Sequence, residues 1–143
     1  MANEKVLLVD DEQEFTQTLS ERMESRGLQV VTAENGPTAL RKAEEESFDA
    51  IILDIMMPGM DGIETLRRLR EINPKLQVIM LTGHATVKTG IEATKLGALD
   101  FLEKPADIKQ LLEKIDQAKT NKMLLVEEEN EEKIKKILKS KGW

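Results

Sequence analysis

The sequence predicts an α/β fold of three layers, with a five-stranded parallel sheet between two layers of helices. Three observations point to it. Short aliphatic runs alternate five times with longer segments whose apolar residues recur at helical spacing. The runs are apolar on both faces, as in Val6-Leu7-Leu8-Val9 and Ile51-Ile52-Leu53, which suits strands buried in a parallel sheet rather than one-sided antiparallel ones. Breakers fall at the joints: Gly27, Gly36-Pro37, Asp61-Gly62, Asn73-Pro74, Gly97 and Pro105.

In chain order, strands are expected over Lys5–Asp10, Gln29–Ala33, Ala50–Asp54, Gln77–Thr82 and Asp100–Glu103. The first helix is marked by Phe15, Leu19 and Met23, and the second by Ala39, Leu40 and Ala43. Ile63, Leu66, Leu69 and Ile72 mark the third, Val87, Ile91 and Leu96 the fourth, and Ile108, Leu111, Leu112 and Ile115 the fifth. Five strand–helix pairs with short connections make a parallel sheet covered on both faces. From about Lys119 the pattern changes. Met123-Leu124-Leu125-Val126 can continue the fifth helix, and Glu131/Lys135 and Glu132/Lys136 are spaced for contacts on a solvated helix. This sets residues 1–118 apart from a charged extension, 119–143, too short for a core of its own. A solvated helix is its simplest reading. A partner-binding or dimerising helix, or a linker to an output domain, are the others.

Composition narrows the chemistry. In 143 residues there is one His and no Cys, which excludes a disulfide scaffold, thiolate metal sites and a thiol nucleophile. Four aromatic residues, Phe15, Phe48, Phe101 and Trp143, are too few for a base-stacking surface. No apolar run approaches the ~20 residues of a membrane span or the h-region of a signal peptide, so a cytoplasmic protein is expected. Residues 1–118 carry 14 basic and 22 acidic side chains, and residues 119–143 carry 7 and 5, for a total of −6. An acidic body disfavours direct contact with nucleic acid or an anionic membrane and suits a cation or a basic partner.

Ligands of open parallel sheets bind beyond the carboxyl ends of the strands. There the sequence places Asp10 and Asp11 after strand one, Asp54 at the end of strand three, Thr82 at the end of strand four and Lys104-Pro105 after strand five. Singly, each has an ordinary explanation as a cap, a turn residue or a solvated side chain. Together, three carboxylates on one rim repel one another and raise one another's pKa. A hard cation such as Mg²⁺ relieves that repulsion. Lys104 adds a point charge suited to a phosphate oxygen, and Thr82 can donate to another. Asp54, on the central strand, is best placed to act as a nucleophile, and the assembled chemistry is phosphoryl transfer to a carboxylate.

Four motifs carry a resemblance: Val9-Asp10-Asp11-Glu12, Asp54-Ile55-Met56-Met57-Pro58-Gly59-Met60-Asp61-Gly62, Met80-Leu81-Thr82-Gly83, and Gly97-Ala98-Leu99-Asp100-Phe101-Leu102-Glu103-Lys104-Pro105. Residues 1–118 resemble the receiver domain of two-component response regulators, of the chemotaxis-Y type. The resemblance implies a flavodoxin-like strand order, 2-1-3-4-5, which the periodicity alone leaves open. It implies that Asp54 accepts a phosphoryl group from a sensor histidine kinase or phosphotransfer protein. Asp11, Asp54 and the Met56 backbone carbonyl would bind Mg²⁺, with Asp10 acting through a coordinated water. Lys104 would pair with Asp54 and then with the phosphoryl group. Thr82 would move toward a phosphoryl oxygen and Phe101 would turn inward, switching the face of the fourth helix, fifth strand and fifth helix toward an output protein. A phosphorylation-dependent homodimer through that face is a further expectation, and Lys104-Pro105 is expected to be cis.

Met56, Gly83 and His84 stand where side chains would tune reaction rates. Met56 cannot hydrogen-bond an attacking water, Gly83 leaves the phosphoryl group accessible, and His84 would modulate hydrolysis or its pH dependence. Phe101 lacks the hydroxyl of the Tyr often found at this place in similar domains. Met57 and Met60 would serve partly as core filler and partly as docking surface for the kinase, and the first helix, from Phe15 to Arg26, would supply much of the rest of that docking face. The domain is expected to assist its own phosphorylation and dephosphorylation rather than to act as an enzyme on other substrates. The alternatives are a receiver-like binding module that is never phosphorylated and an aspartate-nucleophile phosphatase. The phosphatase would need a second Asp where Met56 stands.

Overall fold

The computed structural model describes residues 3–57, 61–83 and 87–142. Its elements are β1 (Lys5–Val9), α1 (Gln13–Glu24), β2 (Gln29–Ala33), α2 (Gly36–Glu45), β3 (Ala50–Asp54), α3 (Gly62–Ile72), β4 (Val78–Thr82), α4 (Val87–Lys95), β5 (Asp100–Glu103) and α5 (Ile108–Ser140). All strand pairs are parallel, in the order β2-β1-β3-β4-β5. This is the flavodoxin-like order that the resemblance implied. Asp10 falls just outside β1, though its N–H still reaches Ala33 O at 3.1 Å. Gln77 falls outside β4, though its carbonyl accepts from Ile51 N at 2.8 Å.

Side chains alternate across each strand and so feed two cores. Leu7, Val9, Ile51, Leu53, Val78 and Met80 meet Ala39 of α2, Leu66 and Leu69 of α3 and Ala93 of α4. Val6, Leu8, Ile52, Ile79 and Leu81 meet Leu19 and Met23 of α1 and Leu111, Ile115 and Ala118 of α5. Every residue of β3 and β4 is buried, whereas the edge strand β2 is mostly not. The doubly apolar runs thus lie at the centre of the sheet, where both faces need covering.

Local chemistry sets the helix starts. Asn35 accepts from Thr38 N ahead of α2, Asp61 from Glu64 N ahead of α3, and Asp107 from Lys109 N ahead of α5. Each satisfies one of the N–H groups that a helix start leaves open. At α3 the first residue must be glycine. A Cβ on Gly62 would lie 2.2 Å from the carbonyl oxygen of Asp54, and Gly62 N donates to Ile55 O at 2.9 Å.

The fifth helix runs unbroken for 33 residues. It starts at the carboxyl edge of the sheet and crosses to the amino edge. There Lys122 Nζ donates to Phe48 O at 2.7 Å and to Ser47 Oγ at 3.0 Å, and Glu129 pairs with Lys75. Met123 and Leu124, then Ile134 and Ile137, stand exposed along it.

Candidate phosphoacceptor site

Four strand ends converge at the carboxyl edge of the sheet. Asp54 closes β3 and Thr82 closes β4, both almost fully buried, and Asp10 is buried just past β1. Lys104 follows β5, and its N–H donates to Thr82 O at 2.7 Å, so the backbone itself ties the lysine to the end of β4. The Lys104–Pro105 peptide bond is cis. These positions follow from register: parallel strands of nearly equal length end together, so their last residues share one rim.

The Lys104 ammonium is the centre of the site. Its Nζ lies 2.7 Å from Asp10 Oδ2, 3.0 Å from Glu12 Oε1 and 3.5 Å from Asp54 Oδ2. The contact with Asp10 is close but poorly angled for a hydrogen bond, so charge carries it. The ring of Phe15, in the first turn of α1, covers the same ammonium at 4.4 Å from its centroid. The carboxylates are held from below by backbone. Glu12 N donates to Asp10 Oδ1 at 2.9 Å, and Met56 N donates to Asp54 Oδ1 at 3.2 Å.

Ligand oxygens of Asp10, Glu12 and Asp54 all lie within 4.8 Å of one another. Burial pushes the Asp54 carboxyl up to about 6, with the neighbouring Asp10 charge adding to the rise and Lys104 opposing it. For Lys104, burial is the largest single influence and acts downward. The short contact of its ammonium with Asp10, the hydrogen bond it donates to Glu12 and the charges of Asp10 and Asp54 together outweigh it, so its pKa is raised. Three carboxylates against one ammonium leave a negative excess when all are ionised. Oxygen ligands with excess negative charge fit a divalent cation.

The structure brings together Asp10, Asp54 and Lys104, with Thr82 beside them on the same rim. It does not bring Asp11 into the cluster; that side chain is exposed. Met56 is exposed, and nothing stands within 4 Å of where a Cβ on Gly83 would be. Met57 is buried, so its side chain serves the core, one half of the reading given to it. His84, Pro58, Gly59 and Met60 lie outside the described residues. Sequence reasoning assigned no role to Glu12 and did not connect Phe15 with Lys104. The only signal for either was position, within the first turn after the Asp pair.

A family model for the response regulator receiver domain matches residues 6–116. The chain belongs to that family. The receiver is 42% identical over 106 residues to the transcriptional regulatory protein ZraR of Klebsiella oxytoca, covering 74% of this chain and 24% of that protein. It is 38% identical to the transcriptional regulatory protein GlrR of Escherichia coli over 79% of this chain and 26% of that one. The chain therefore spans about a quarter of the length of these curated relatives. A solved receiver domain from Clostridium thermocellum superposes with a TM-score of 0.81 at 36% identity, covering 85% of this chain and 98% of that one.

The receiver has a second surface feature. A cavity of about 360 Å³ lies between α4 and β5, lined by Gly90, Ile91, Thr94, Lys95 and Phe101. Phe101 is half-buried, and its ring lies so close over Gly90 that a Cβ there would fall 2.6 Å from Cε1. Among the described residues, no helix is long and apolar enough to cross a membrane.

Proposed function

We propose that the chain is a phosphorylation switch. Asp54 accepts a phosphoryl group from a phosphohistidine on a sensor kinase or phosphotransfer protein, and an output face responds. The observation that carries this reading is the buried Asp54 carboxyl, crowded by Asp10 and countered by Lys104. A carboxylate oxygen of Asp54 attacks phosphorus as the P–N bond breaks. The electron pair leaves with the imidazole, and an acyl phosphate forms on Asp54. Lys104, 3.5 Å from Asp54 and held by Asp10 and Glu12, is placed to follow charge from the carboxylate to the new phosphoryl oxygens. Thr82, one strand over, offers a hydroxyl to another oxygen.

Mg²⁺, when bound, supplies the charge neutralisation that lets an anionic phosphoryl group approach an anionic acceptor. Asp54 and the Met56 carbonyl would hold it, with Asp10 acting through a coordinated water. Asp11, exposed here, would turn inward as a direct ligand, and Glu12 is a further carboxylate on the same rim. The response would pass through Thr82 and Phe101 to the face of α4, β5 and α5, where the cavity beside Phe101 leaves the ring room to move. His84, two residues after Thr82 in the sequence, would tune hydrolysis. In this reading residues 119–143 are an extension of the receiver.

The relatives are named as transcriptional regulators, whereas this chain is expected to make no direct contact with nucleic acid. We place any such contact in the parts of those proteins that the match leaves out. The test is intact mass after incubation with acetyl phosphate, with Mg²⁺ or with EDTA, for wild type and Asp54→Asn. One added phosphoryl group that needs both Mg²⁺ and Asp54 is the expected result. If neither that adduct nor a beryllofluoride complex forms, the non-phosphorylated binding module replaces this reading.

A further inference from the structure

We infer that Phe15 is a positioning residue for Lys104, holding its ammonium in place through the face of the ring. The inference rests on the reading of Asp54 as phosphoacceptor and deepens it. Lys104 has a long, flexible side chain, yet only 12% of it is exposed and its Nζ is fixed within 3.5 Å of three carboxylates. Carboxylates alone do not define one position for an ammonium. It can slide toward Asp10, toward exposed Glu12, or out to water with Glu12. The Phe15 ring closes the remaining side at 4.4 Å, within the ~6 Å over which a cation is attracted to an aromatic face. That attraction places the ammonium without offering an oxygen to compete with the acidic groups.

The site needs this arrangement because Lys104 must change partners. Its contact with Asp54 is the longest of the three, and it is the one a phosphoryl oxygen would replace. A lysine collapsed onto Glu12 would have to be pulled back before it could meet the incoming charge. Phe15 stands on α1, not on the strands that carry the reacting groups, and its ring also walls a groove of about 200 Å³ with Leu19, Arg22, Pro105 and Ala106. A purely structural role would be to fill that wall, and the test separates the two.

The experiment compares self-phosphorylation by acetyl phosphate in Mg²⁺ for wild type, Phe15→Leu, Phe15→Trp, and the chain carrying 3,4,5-trifluorophenylalanine at 15. The fluorinated ring keeps its shape and loses the electron density on its face. Melting temperatures confirm that each variant folds. We expect the rate to fall about fivefold in Phe15→Leu and in the fluorinated protein, and to hold in Phe15→Trp. In a Lys104→Ala background, Phe15→Leu should have no further effect. NMR supplies a readout independent of phosphorylation: the Lys104 Hε protons should show an upfield ring-current shift that disappears in Phe15→Leu. Wild-type rates in the fluorinated protein, or no ring-current shift, overturn the inference. Wild type that shows the ring-current shift but gains neither a phosphoryl group nor a beryllofluoride complex instead overturns the phosphoacceptor reading, and the role given to Phe15 with it.

Discussion

At the scale of single residues, the site stores an electrostatic conflict that should be visible in stability. The folded-state pKa of Asp54, about 6, lies above its ordinary 3.8. Between those values the folded protein keeps a proton that the unfolded chain releases, so stability falls as pH rises through that window. The loss is complete once pH passes well above 6, and it amounts to at most about 3 kcal/mol. Asp54→Asn removes the titration. In metal-free buffer the variant should therefore match wild type near pH 4 and exceed it near pH 7.5, by urea denaturation at the two pH values. Equal stabilities at pH 7.5 would dismiss the crowding argument. In the same buffer, added Mg²⁺ should raise the wild-type melting temperature by binding the folded state. Asp11→Ala should respond much less; equal shifts would remove Asp11 from the ligand set.

At the scale of elements, two glycines make opposite predictions from similar distances. A Cβ at Gly62 meets backbone, the Asp54 carbonyl oxygen at 2.2 Å and Ile55 Cα at 2.6 Å, and neither can step aside. Gly62→Ala should cost about 2–3 kcal/mol in chemical denaturation. A Cβ at Gly90 meets only the far edge of the Phe101 ring, a flexible side chain beside an open cavity. Gly90→Ala should cost under about 1 kcal/mol while moving the ring, read as changed NMR shifts of Phe101. The strands were legible because their apolar runs are short and two-sided, and the rim was legible because parallel strands end in register. Thus Asp10, Asp54, Thr82 and Lys104 could be grouped from sequence alone. Glu12 and Phe15 could not be placed, because the turn that α1 presents to Lys104 depends on how Leu19 and Met23 seat against the sheet. The strand order also escaped periodicity, since alternation fixes which face a residue takes and not which strand lies beside it.

At the scale of the whole molecule, the long helix links the site edge to the opposite edge of the sheet. Its polar contacts past Ala118, among the described residues, are Lys119 with Glu4, Asn121 with Gln77, Lys122 with Phe48 and Ser47, and Glu129 with Lys75. A chain ended after Glu129 should therefore melt within about 2 °C of the full chain, while one ended after Ala118 should lose several degrees. Calorimetry of both truncations checks whether residues 119–129 stabilise the receiver or merely extend it. The helix has one more consequence. Its first residue, Ile108, follows Lys104 by a single short turn, and its 33 residues make a rod about 50 Å long. A rod rooted beside a reacting group is a lever: a tilt of about 3° at Asp107 carries the far end through roughly 2.5 Å. A displacement too small to alter the core could in this way become a change in where Ile134 and Ile137 are presented.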